Sequence, residues 1–203
     1  MCLWNMPGWK TPALCTALLN GDHGNVIDTC GSINLSTTTA PGNLNFGSSA
    51  DTDCDTPGTG GGAGNTYAAR SAFWHATLMR NRAEAYLPSL PWLNSSVTIS
   101  TNIASDADTN CTAWRNGNTI NFLQLYGDCN NSSEVAGLVD HEWAHVLDSN
   151  DGGPAHVPSD ETASGEAYGD FADVLMSKIP CFAQSIENIG TCYHCPAWCH
   201  GKR

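Results

Sequence analysis

The sequence predicts an α+β fold: a small mixed or antiparallel sheet with an edge hairpin, packed on two helices, behind a loop-rich, disulfide-containing N-terminal part. Three observations predict it. Val97 to Ile103 (VTISTNI) alternates β-branched residues with polar ones, as a half-buried strand does. Thr112 to Leu125 (TAWRNGNTINFLQL) reads as a hairpin around an Asn116-Gly117 turn. Beyond it, two segments space their apolar residues helically between start and stop signals.

Taken in order, residues 1–64 are rich in Gly, Thr, Asn and Pro, with short apolar stretches at Val26-Ile27 and Ile33 to Leu35. Short strands and loops are expected there, ending in the TGGGAG run from Thr59 to Gly64. Asn65 or Thr66 can cap a helix that runs through Phe73, Trp74, Leu78 and Met79 to Leu87, where Pro88 stops it. The strand and hairpin follow, and Cys111 and Cys129 bracket the hairpin closely enough for a disulfide. Ser132 or Ser133 is the expected cap of the next helix, with Glu134 near its positive end. That helix ends in the DSNDGG stretch after Leu147. Ser159 or Asp160 opens the last helix, which continues to Ile179 and stops at Pro180. Residues 65–180 thus form the expected folded domain, and 181–203 a Cys-rich tail.

Composition narrows the function classes. With 8 basic and 20 acidic residues the net charge is −12, which argues against binding nucleic acid phosphates. No apolar run approaches the ~20 residues of a membrane span. A chain of 203 residues buries enough surface to fold without disulfides, so its 10 cysteines speak to compartment instead. An even cysteine count in an acidic chain points to an oxidising setting: secreted, periplasmic or cell-surface. Residues 1 to 20 are broken by Pro7, Gly8, Lys10 and Pro12 and do not form a signal h-region. A mature chain, or a piece of a longer precursor, is therefore expected.

The first of the two late helices contains His141-Glu142-Trp143-Ala144-His145, an HExxH motif. Positions i and i+4 share a helix face, so both imidazoles can bind one metal ion. Glu142, rotated about 100° away, can take a proton from bound water. Catalytic zinc normally takes a third protein ligand, and Glu166 on the second helix offers it. Asp170, on the same face as Glu166, can hold a ligand histidine's far nitrogen. Gly165 and Gly169 would let the two helices approach closely.

HEWAH, followed by Glu166 within GEAYGDF, resembles the gluzincin zinc metallopeptidases of the thermolysin and fungalysin type. The resemblance covers residues 65 to about 179, because the order of helix, hairpin and zinc helix is similar as well. It implies a secreted zinc endopeptidase with His141, His145 and Glu166 as zinc ligands, Glu142 as general base and Asp170 behind a ligand histidine. It also implies that the strand at Thr112, Ala113 and Trp114 pairs with an extended peptide substrate. The family draws an oxyanion donor and a substrate-orienting arginine largely from chain beyond the Glu helix. Here His156 and Tyr168 are the candidate donors, and neither matches a family motif by position. Two alternatives compete: a zinc-binding pseudopeptidase or catalytic fragment, and a disulfide-rich extracellular binding module without activity.

Two weaker signals remain. Asp51, Asp53 and Asp55 alternate as Ca²⁺ ligands do, without the full loop pattern. The tail from Cys192 to Cys199 suits disulfides, or a structural zinc knuckle.

Overall fold

The computed structural model describes residues 15–17, 19–21, 23–37, 53–54, 60–152, 163–179 and 181–187. The strands are Cys15–Ala17 (β1), Gly24–Asp28 (β2), Leu35–Thr37 (β3), Val97–Ile103 (β4), Ala113–Asn116 (β5) and Thr119–Leu123 (β6). The helices are Tyr67–Tyr86 (α1), Ala136–Asp148 (α2) and Ala163–Ser177 (α3). Strands β1 and β3 form a small antiparallel pair. The main sheet is mixed, in the order β2-β4-β6-β5. Its first three strands are parallel and β5 closes one edge antiparallel to β6. The α+β architecture read from the sequence is the one observed.

Alternation on β4 and β6 buries Val97, Ile99, Ile120 and Phe122 on one face. Against that face pack Ala69, Ala72, Ala76 and Met79 of α1 and Leu138, Val139, Trp143 and Val146 of α2. Burying each large side chain contributes about 1.5–3 kcal/mol. The alanine stripe on α1 matters for a different reason: small side chains bring that helix close to the sheet. Trp92, from the 3-10 turn Pro91–Asn94, packs against Trp143 with ring centroids 5.6 Å apart and planes tilted by 56°, closing the core beside α2.

Thr66 caps α1 as expected, its hydroxyl accepting from the Ala69 N–H at 3.1 Å. The same hydroxyl donates to Asp28 at the end of β2, 2.5 Å away. Asn102 of β4 donates to both Asp28 oxygens at 3.0 and 3.1 Å, and its own oxygen accepts from Asn131 at 2.6 Å. Asn131 in turn caps the 3-10 turn Ser132–Glu134, accepting from the Ser133 N–H at 3.0 Å. This buried relay joins β2, α1, β4 and the entry to α2. It also accounts for the left-handed backbone of Asn102, φ 59°, where β4 and β6 slip register.

Two expectations are corrected here. Ser132 and Ser133 do not cap α2: they lie inside the 3-10 turn, and α2 starts at Ala136 with no side-chain cap. The hairpin turn is one residue later than read. Asn116 pairs with Thr119, so Gly117 and Asn118 form the loop, with Gly117 at φ +58°. A glycine in the first loop position supplies the positive φ that suits the strand twist. The expected openers of α3, Ser159 and Asp160, lie outside the described residues.

Disulfides join Cys30 to Cys54 and Cys111 to Cys129, the latter tying together the ends of the hairpin. Cys181 is disulfide-bonded as well. These bonds favour an extracellular setting. Among the described residues no helix is long and apolar enough to cross a membrane.

Candidate metal centre

Helix α2 is buried from Gly137 to Leu147, so its polar residues face other protein groups instead of water. One turn apart, His141 and His145 bring their Nε2 atoms to 2.8 Å. Across from them, α3 presents Glu166, with one oxygen 3.2 Å from His141 Nε2 and the other 3.5 Å from His145 Nε2. Donor atoms about 2.0–2.1 Å from a tetrahedral ion stand about 3.3 Å from one another. The three side chains therefore fit a single small cation, and they form the metal-ligating cluster found among the described residues. The histidines are buried and Glu166 is exposed, which leaves the cluster open on its α3 side.

Asp170 lies one turn beyond Glu166, with Oδ1 3.1 Å from His141 Nδ1. A carboxylate there favours a proton on Nδ1 and leaves the Nε2 lone pair facing the cluster. Burial pushes His141 towards neutrality, but Asp170, Glu142 and Glu166 outweigh it and raise its pKa.

Glu142 is 6% exposed. Burial above all lifts its pKa to about 7; Glu166 adds to the rise, and His141 and Arg115 oppose it. A carboxyl poised near neutrality is suited to taking and returning a proton. Below the cluster, Asp140 of α2 is raised to about 8 by burial and by Asp173 of α3. Asp173, itself raised chiefly by burial, sits against Gly137. His75 of α1 approaches Asp140 at 3.8 Å.

The structure brings His141, His145, Glu166 and Asp170 together, with Glu142 on the same helix as the histidines. Ala113 and Trp114 lie on edge strand β5 and Thr112 directly precedes it. Ala113 packs against the core, whereas Trp114 is 39% exposed. Tyr168 is half-buried on α3, and the charges acting on it are Asp151 and Asp148, at the far end of α2. His156 lies outside the described residues, as do Asp51, Asp55 and the tail from Cys192 to Cys199. Asp53 uses both its oxygens as acceptors, from the Leu125 N–H and from Asn131, which gives no support to a Ca²⁺ site. Sequence reasoning missed Asp140 and Arg115. The signal for Arg115 was its place two residues from Ala113 on a strand, hence on the same face.

No family model matches this sequence, and no curated protein sequence matches it. Among solved structures, the fold is similar to that of the precursor of protealysin, a metalloproteinase from Serratia proteamaculans, with a TM-score of 0.50 and 16% identity. The match covers 80% of this chain and 45% of that one, so the chain spans less than half the length of the protein it resembles. The likeness is one of fold alone; within that fold His141, His145 and Glu166 form a cluster able to hold a metal ion.

Proposed function

We propose that the chain is a secreted zinc-dependent endopeptidase of the gluzincin type. The observation that carries this reading is the convergence of His141, His145 and Glu166 with Glu142 on the same helix and Asp170 behind His141. Two imidazoles and one carboxylate suit zinc better than a hard cation, which prefers oxygen alone. Bound there, zinc would act as a Lewis acid that lowers the pKa of a coordinated water from about 15.7 to about 7.

The protein's own residues do the rest. Glu142, held near neutrality by burial, accepts a proton from the attacking water and passes it to the departing amine. Asp170 keeps His141 in the tautomer that offers Nε2 as a ligand. Strand β5, at the edge of the sheet, offers its main chain to an extended peptide, which it would hold by strand addition. The test is whether the purified protein takes up one zinc per chain and cleaves casein, with loss of cleavage on chelation and recovery on adding zinc. Zinc uptake without cleavage would favour a pseudopeptidase, and no uptake would favour a binding module.

A further inference from the structure

We infer that Phe182 is a positioning residue that fixes the orientation of the His141 imidazole and so prepares it for the metal ion. The inference deepens the proposed function at its metal ligands and rests on no step of peptide cleavage. Segment 181–187 follows α3 and turns back to α2, where the Phe182 ring packs against His141 with centroids 4.8 Å apart and planes tilted by 42°. Favourable aromatic pairs stand about 4.5–7 Å apart in tilted or offset arrangements. Phe182 is only 9% exposed, so its ring is committed to His141 and the core, away from solvent. His145 meets the same imidazole edge-on, at 4.4 Å and 86°. The α3 backbone at Gly169 closes its Nδ1 side. Unlike Asp170 and Glu166, a phenyl ring makes no claim on either imidazole nitrogen. What it limits is how the imidazole can turn.

The segment that carries Phe182 is tied down on both sides of it. Cys181, immediately before, is disulfide-bonded, and immediately after, the Ala183 N–H donates to Asp173 of α3 at 3.4 Å. Further along, the Asn130 N–H donates to the Ile186 carbonyl at 2.7 Å, and the Asn130 side-chain amide to the Ser185 carbonyl at 2.6 Å. Glu187 then bridges to Cys129. To make these contacts the backbone enters the left-handed region at Ala183, φ 47°, and Ser185, φ 73°. Residues other than glycine hold that conformation at a cost, and only where their surroundings enforce it. A histidine free to change rotamer must be ordered when the metal binds, and the lost freedom is subtracted from the affinity. With Phe182 in place the imidazole is ordered during folding instead.

The experiment compares wild type with Phe182→Ala and Phe182→Leu, using zinc and cobalt(II) as probes. By chelator competition, zinc affinity should fall by about tenfold or more in Phe182→Ala, the scale on which ligand histidines respond to lost support. Phe182→Leu keeps apolar volume without a flat ring, so it should restore the thermal midpoint of the metal-free protein more fully than it restores zinc affinity. The visible absorption of the cobalt-loaded protein reports ligand geometry, and its bands should shift in Phe182→Leu even though that variant folds. Val26→Ala, a core truncation on β2, sets the baseline for a merely structural effect: lower stability with the wild-type cobalt spectrum. The His141 ring nitrogens, followed by NMR in the metal-free proteins, should give one sharp set in wild type and broadened or split signals in both variants. If wild type takes up no zinc, the metal reading fails, and these signals still decide whether Phe182 fixes the ring. Wild-type affinity and cobalt spectrum in Phe182→Leu and Phe182→Ala, or unchanged His141 signals, would overturn the inference and leave Phe182 as core packing alone.

Discussion

A β-carbon added at Gly169 would stand 2.5 Å from Nδ1 of His141. The same atom would lie 2.6 Å from Cε1 and 2.8 Å from Cγ, so the Nδ1 side of the imidazole rests on the bare backbone of α3. This contact sets how near α3 comes to α2, and with it the reach of Glu166.

Gly169→Ala should therefore damage the cluster. Alanine gains about 1 kcal/mol of helix propensity over glycine. Overpacking costs about 1–3 kcal/mol, and the group that must yield is the His141 ring. Metal affinity, measured by competition with a chromogenic chelator, should fall by about tenfold or more, the scale on which ligand histidines respond to lost support. Wild-type affinity in Gly169→Ala would show that the ring has room to move.

Asp170, the next residue, also meets His141 at Nδ1. Asp170→Ala removes the carboxylate 3.1 Å from Nδ1 and should lower metal affinity by about 10–100-fold. Asp170→Asn keeps an acceptor oxygen and should lose less. The same chelator titration ranks the three proteins, and equal affinities would remove Asp170 from the site.

Asp140 gives a prediction about stability. Its folded pKa of about 8 lies above its ordinary 3.8, so between these values the folded state holds a proton that the unfolded state releases. Stability contributed this way is lost as pH rises towards 8. His75 has a lowered pKa and works in the opposite sense, but only below its ordinary value of 6.5. Across the window from pH 6.5 to 8, Glu142 and His141, both raised, slope the same way, so the Asp140 contribution is the difference between wild type and Asp140→Asn. Thermal midpoints should fall across it in wild type, and fall less in Asp140→Asn. Parallel slopes for the two proteins would contradict the assignment.

What the sequence made legible was mostly local. Thr66 caps α1, Val97 to Ile103 is a strand, and Cys111 pairs with Cys129, because caps, alternation and loop closure depend on neighbours along the chain. The i, i+4 pairing of His141 and His145 is local in the same way. Glu166 and Asp170 were found from their shared helix face, although their approach to α2 depends on packing at Gly169. The parallel pairing of β2 with β4 was not legible, since Gly24 meets Val97 only after α1 has crossed between them. Nor was the role of Asn131: held by Asn102, it caps the 3-10 turn before α2, and the two serines fall inside that turn. Asp140 was hidden for a similar reason, because its neighbours Asp173 and His75 come from other helices.

The account stands most directly on Glu142, proposed as the base and not as a ligand. Zinc content and peptide hydrolysis should be measured on wild type and Glu142→Ala in parallel. The account predicts one zinc per chain in both proteins, with hydrolysis in wild type and its loss in the variant. Equal hydrolysis in the two proteins, or loss of zinc from the variant, would contradict it.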